Sequence, residues 1–327
     1  MWAENEFAES VSLRKAPYKN TFSNNSYIFD VNGEEALDKR EGLKEIFDIC
    51  NKKMFDMKFQ EACDGSANES TRITTVHSSS LCALLFFYNV TEKNPLILDI
   101  DGKNTIFTES IFEFQNTVIP GRNPSNVDVV LLGKRDGRKV ILFLESKFSE
   151  YYQGTGTSLN IAKEYLNKEI PGSEIYNSSS CLKMLGLKKE TALCDSEFKI
   201  QADETMYLEG IKQMTSHYAG ICHFMNGKSN VPECAKQKKV RDYYDSETFV
   251  YLGTILFDKY IGKLPIGKKH MSCLKSYQKY YKILASYINQ DRYLPKRFKM
   301  LDNILKYSLF ENNRHETELN IRKFYFG

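Results

Sequence analysis

The sequence predicts an α/β protein: a central mixed sheet flanked by helices, with a long insertion and added helices at both ends. Three observations carry this. Residues 126–147, NVDVVLLGKRDGRKVILFLESK, are two runs rich in Val, Leu and Ile around Asp136-Gly137, the strongest short hairpin signal. Residues 204–225 place Tyr207, Ile211, Met214, Tyr218, Ile221 and Met225 three and four apart, an apolar helical stripe suited to packing on a sheet. Residues 248–257, TFVYLGTILF, form a short apolar, β-branched run of the kind that makes a buried strand.

The elements follow in order. Residues 1–30 lack clear periodicity. A helix is expected over 34–57, with Leu37, Ile46, Phe47, Cys50 and Met54 as apolar positions, and DGSANES at 64–70 reads as a loop. A helix at 75–88 and a strand at 109–115, ESIFEFQ, lead into the hairpin. Residues 149–203 form an insertion holding GTGTS and NSSSC, with short helices expected at 161–167 and 181–187. Long excursions of this kind beside a site often act as binding loops or lids; the plainer reading is a surface decoration. The helix at 204–225 and the strand at 248–257 complete an α-β-β-β-α-β order. Three regions result: an N-terminal helical extension over 1–70, a core over 71–260 and a basic helical region over 261–327.

The hairpin places chemistry. With Asp136 and Gly137 as a two-residue loop, Arg135 faces Arg138 and Lys134 faces Lys139. Continuing the pairing sets Asp128 opposite Glu145, Cβ to Cβ about 4.5–5.5 Å. Like charges directly opposite destabilise a sheet, and a divalent cation between them is one remedy, since hard cations take carboxylate oxygens. Lys147, two residues beyond Glu145, emerges on the same sheet face. Two carboxylates and an ammonium can hold a metal, orient a water and balance charge on a phosphate. An ordinary half-exposed hairpin with surface Asp, Glu and Lys is the alternative.

Asp128 followed by Glu145-Ser146-Lys147 on successive strands resembles the PD-(D/E)xK nuclease superfamily, the restriction-endonuclease-like fold. Val127, not proline, precedes Asp128; Pro124 lies four residues upstream. The α-β-β-β-α-β order is similar to the family core. The resemblance implies that Asp128 and Glu145 are metal ligands, joined by the Ser146 backbone carbonyl, and that Lys147 positions water and stabilises developing charge. It implies a further acid at Glu113, which otherwise reads as a polar position on an amphipathic strand. It also points to Gln213, after Lys212, as a glutamine-motif residue. Its spacing to Tyr218 is one residue too long for that motif, and a solvent-facing helical Gln is the alternative. The implied activity is a Mg2+-dependent (or Mn2+-dependent) deoxyribonuclease, an endonuclease of restriction or defence type. The alternative is a non-catalytic nucleic-acid-binding protein that keeps the fold. A homodimer is a further expectation, because enzymes that cut both strands are often dimeric.

Composition bounds these expectations. Hydrophobic content of 42% and charged content of 27% over 327 residues are ordinary for a globular chain. No apolar run nears the ~20 residues a membrane span needs, so no membrane partner is expected. The first residues, MWAENEFAES, lack the basic-then-apolar pattern of a signal peptide, so a cytoplasmic location is expected. Eight cysteines include no CxxC pair, which gives little support to structural zinc. His217, Cys222 and His223 lie close in sequence, but positions 217 and 222 do not share a helix face well, so ordinary packing is the expectation there.

Charge is uneven. Residues 259–300 hold eleven Lys or Arg against one acid, Asp291, while the whole chain is only +3. A helix expected over 268–288 sets Lys268, Lys275, Lys279 and Lys282 on one narrow stripe. Leu274, Tyr277, Tyr281, Leu284 and Ile288 fall opposite. Such a basic face is the footprint of polyanion binding, here DNA, or simply a solvated lysine face.

Overall fold

The computed structural model describes residues 52–63, 79–119, 121–148, 156–190, 196–203, 206–228, 234–257 and 268–311, with the side chains of 52, 53, 55, 56, 60, 63, 81, 268–274 and 311 outside the described set. Most of the helix expected at 34–57, and the loop at 64–70, lie outside these residues. Helix α1 (Lys52–Cys63) overlaps the end of that expected helix. Next come α2 (Ser79–Phe87), β1 (Leu96–Ile100), β2 (Lys103–Asn116), β3 (Ser125–Arg135) and β4 (Arg138–Lys147). The insertion holds β5 (Ser158–Ala162), a 3-10 turn (Lys163–Leu166), α3 (Glu174–Asn177), α4 (Ser179–Met184), β6 (Leu187–Glu190) and β7 (Glu197–Ala202). Then follow α5 (Leu208–Met225), α6 (Ala235–Tyr243), β8 (Phe249–Leu256), α7 (Lys268–Ile288), β9 (Phe298–Met300), β10 (Leu305–Lys306) and a 3-10 turn (Tyr307–Glu311).

The protein is mixed α/β. A seven-stranded sheet runs β1-β2-β3-β4-β8-β10, with β9 also on β8. β1 to β4 are antiparallel neighbours, and β4 meets β8 in parallel, Glu145 beside Thr254. The expected order of helix, three strands, helix and strand is present as α2, β2, β3, β4, α5 and β8, with additions. β1 adds a leading hairpin that is absent from the expected order. Short helices lie where the insertion was expected to hold them, a 3-10 turn at 163–166 and α4 at 179–184, and a sheet accompanies them. The insertion folds around this second sheet, β5-β7-β6. Its strands are five, four and six residues long; β7, EFKIQA, alternates polar and apolar residues, a strand signal in the sequence.

The core divides between the two faces of the large sheet. Ile141, Phe143, Val130 and Leu132 pack with α5, α7 and the small sheet. Leu142, Leu144, Leu131 and Val129 pack with α2 and the turn at Tyr307. Alternation along a strand explains the division. The hairpin turn is as expected: Asp136 and Gly137 both take positive φ, 50° and 76°, as a type I′ turn requires. Gly133 lies under the β2 bulge between Phe107 and Glu109, where a Cβ would collide with the Ile106 carbonyl and Phe107.

Beyond β1, the outer edge of β2 is capped by side chains rather than a strand. Lys58 of α1 donates to the Ser110 carbonyl, and Glu61 Oε1 accepts from the Phe112 amide at 3.0 Å. From α6, Lys236 donates to the Phe112 carbonyl at 2.9 Å and the Glu113 carbonyl at 3.4 Å, and Gln237 donates to the Gln115 carbonyl at 3.0 Å. Buried backbone groups need partners, and two helices supply them here.

Candidate active site

The site forms where the ladders fail. β3 and β4 pair with the expected register from Arg135↔Arg138 to Val129↔Leu144. The next pair, Asp128 and Glu145, does not join. On the other side, β2 and β3 pair Phe112↔Val129 and Phe114↔Val127 but skip Glu113 and Asp128. Glu113 takes a left-handed φ of 49°. Both strands change face at this point. Phe112 and Val129 lie in the α2-side core, whereas Phe114 and Val127, two residues away, lie in the α5-side core. An uninterrupted strand would keep them on one face. Glu113, Asp128, Glu145 and Thr254 thus form one row across four strands, with the interruption at its centre.

The half-buried Asp128 does not simply point at Glu145. Its Oδ2 accepts the Ser146 amide at 2.6 Å, standing in for a carbonyl of β3. In an extended strand the N–H and C=O of one residue point the same way, so the Ser146 carbonyl is directed at the same gap. The Ser146 hydroxyl, on the α2 face, donates to the Ser79 carbonyl at 2.9 Å and meets the Tyr307 hydroxyl at 2.9 Å. Glu145 is 3% exposed and Lys147 is 4% exposed. Lys147 Nζ donates to Glu145 Oε1 at 2.5 Å. Glu113, 3% exposed, accepts from the Ser80 hydroxyl at 3.5 Å.

The residue from α5 that reaches this cluster is His217. Its Nε2 lies 2.7 Å from Glu145 Oε2, and its Nδ1 lies 2.6 Å from Ser125 Oγ. His217 is buried, as ordinary packing implies, and these two bonds also tie it to Glu145 and Ser125. Cys222 is buried apart, and His223 bonds the Thr117 carbonyl. No sequence signal joined His217 to Glu145, because the pairing depends on how α5 seats on the sheet. Gln213, one turn earlier, is half-buried and accepts from Tyr207 at 3.2 Å.

The two central carboxyls are driven apart. Burial, then the charges of Glu145 and Glu113, push Asp128 well above the ordinary aspartate range, against Lys147 and the Ser146 amide. Burial also opposes charge on Glu145, but Lys147 and His217 outweigh it and bring its carboxyl down to about 2. Lys147 and His217 therefore favour the charged form of Glu145, while Asp128 is pushed toward its neutral form.

On α7, Lys275, Lys279 and Lys282 are exposed, while Tyr277, Tyr280, Tyr281, Leu284 and Ile288 are buried. Lys268 starts the helix, but its side chain and that of Leu274 lie outside the described set. Tyr281 accepts the Thr254 amide at 3.0 Å, seating the helix beside the row of acids. Among the described residues no helix is long and apolar enough to cross a membrane.

The fold and site together define a mixed α/β protein with an acid–lysine cluster buried at a broken strand ladder. No family model, curated protein or solved structure matches the chain.

Proposed function

We propose that this protein is a metal-dependent deoxyribonuclease of endonuclease type, built on a restriction-endonuclease-like core. The observation that supports it most is the row Glu113, Asp128 and Glu145, with Lys147, at the ladder interruption. Four ionisable groups in one desolvated patch are costly to a fold, and such patches cluster at functional sites.

The donor chemistry fits a hard divalent cation. Carboxylate oxygens of Asp128 and Glu145, with the Ser146 carbonyl aimed into the gap, are oxygen ligands of the kind Mg2+ or Mn2+ takes. Among the described residues no group of three or more His, Cys, Asp or Glu converges tightly enough to hold a metal as it stands. In this arrangement Lys147 occupies Glu145 Oε1, neutralising the carboxylate where a cation would otherwise do so. When bound, a cation would supply an acidified water and neutralise charge on the phosphate. Lys147 is the protein's own positive group in the site, placed to stabilise negative charge growing on a phosphate. The Asp128 carboxyl is held above its ordinary range by burial and by the neighbouring Glu145 and Glu113 charges, so a proton would compete with a cation for it. The exposed lysines of α7 would bind backbone phosphates, giving affinity and register without sequence choice.

The test is incubation with plasmid, linear duplex, single-stranded DNA and RNA, with Mg2+, Mn2+ or EDTA. Cleavage of DNA with metal and none in EDTA is the expected result. Binding to DNA without cleavage in any metal would favour the non-catalytic reading instead.

A further inference from the structure

We infer that His217 is a positioning residue for Glu145, with Ser125 holding its ring; this rests on the metal-binding reading above. The three residues come from different elements: Ser125 at the start of β3, His217 on α5 and Glu145 near the end of β4. All are buried, at 9%, 3% and 3% exposure. With Ser125 Oγ on Nδ1 at 2.6 Å and Glu145 Oε2 on Nε2 at 2.7 Å, both ring nitrogens are committed. The ionised Glu145 carboxylate can only accept, so Nε2 donates to it; in a neutral ring Nδ1 then accepts from the Ser125 hydroxyl, which holds the ring in that orientation.

The order of these bonds resembles a nucleophile relay, but two features speak against that role. Ser125 is buried, at 9% exposure, with its Oγ on the ring nitrogen and little surface to offer a substrate. Glu145 is also neutralised by Lys147 at 2.5 Å, so its charge is not reserved for the histidine. What the chain of bonds does is fix a rotamer. Glu145 has two oxygens; His217 anchors Oε2 to the helix, and Oε1 faces Lys147. Such outer partners of ligating carboxylates orient them, and their loss typically costs about 10–100-fold in metal affinity.

Two substitutions separate orientation from mere packing. The terminal amide of glutamine overlays Nε2 of histidine, so His217→Gln keeps a donor for Glu145 and gives up the bond to Ser125. The shorter asparagine overlays Nδ1, so His217→Asn keeps the bond to Ser125 and cannot reach Glu145. Mn2+ binding to the full chain, without DNA, is read from electron paramagnetic resonance of the free ion, with thermal melting as a fold check. H217N is expected to bind Mn2+ roughly 10–100-fold more weakly than wild type, and H217Q to recover most of that loss. Equal affinity of H217N and wild type, or equal losses in both variants, overturns the positioning role while leaving the metal site standing. Wild type that takes up no Mn2+ overturns the metal reading itself, and this inference with it.

Discussion

Asp128 and Ser146 are joined by a 2.6 Å bond from the Ser146 amide to Oδ2, at the first position where β3 and β4 stop pairing. A side chain has replaced a backbone acceptor, and the ladder opens. That opening places three carboxyl groups and a lysine within electrostatic reach of each other. It sets the behaviour expected on titration, mutation and metal addition.

The Asp128 carboxyl lies above its ordinary range, so folding takes up a proton there. Its contribution to stability is present in full in acid and is lost as pH rises from the ordinary aspartate range toward the folded value. Asp128→Asn is therefore expected to be more stable than wild type above neutrality, with the difference closing near about pH 4. Urea denaturation across a pH series reads this. An asparagine variant destabilised at every pH would show that the site is not strained as described.

Glu145 has the opposite sign. Its carboxyl is brought down to about 2, so its stabilising contribution is present above the ordinary glutamate range and fades as pH falls toward that value. Glu145→Gln should be less stable than wild type at neutral pH and converge with it in strong acid. Opposite pH slopes for these two adjacent acids, measured by the same denaturation series, check the assignment of charge between them.

Added Mn2+ should raise the melting temperature of wild type, because a ligand that binds only the folded state stabilises it. Asp128→Asn should lose most of that shift, and the wild-type shift should grow with pH as the Asp128 proton becomes easier to displace. Scanning fluorimetry with and without metal is the measurement. An asparagine variant that keeps the whole shift removes Asp128 from the ligand set.

Lys147→Ala should abolish nearly all cleavage while DNA affinity stays within a few-fold. One buried ammonium contributes little to binding, whereas charge stabilisation in the transition state carries rate. Changing Lys268, Lys275, Lys279 and Lys282 to Gln should do the reverse at the binding step. Affinity falls, and the slope of log K against log salt flattens by up to about 0.9 for each phosphate no longer neutralised. An unchanged slope would mean that the stripe is a solvated face.

Lys236→Met should destabilise the protein without touching an acid. Lys236 donates to the carbonyls of Glu61, Phe112 and Glu113 at 2.6, 2.9 and 3.4 Å. A buried acceptor left unpaired costs about 1–3 kcal/mol. Because these bonds hold the left-handed Glu113, hydrogen exchange along 110–116 should quicken more than exchange in β4. Uniform quickening across the sheet would argue that Lys236 has no local role.

The chain by itself determined what short-range chemistry sets. Asp136-Gly137 fixed a two-residue turn, and that turn fixed the register that brings Asp128 level with Glu145. The 3.6-residue periodicity of 268–288 marked Tyr277, Tyr281, Leu284 and Ile288 as buried and Lys275, Lys279 and Lys282 as outward, but not the buried Tyr280. Tertiary structure decided the rest, since it depends on partners far apart in the chain. His217 meets residues 72 and 92 positions away, and Lys236 meets Glu113 from 123 positions away. The opposite shifts of Asp128 and Glu145 arise from neighbours of this kind. A carboxyl group carries no sign in sequence of how deeply it will be buried or which cation will face it. The second sheet was only partly hidden: its central strand, EFKIQA, alternates polar and apolar residues, but the pairing of β5 with it joins segments far apart in the chain.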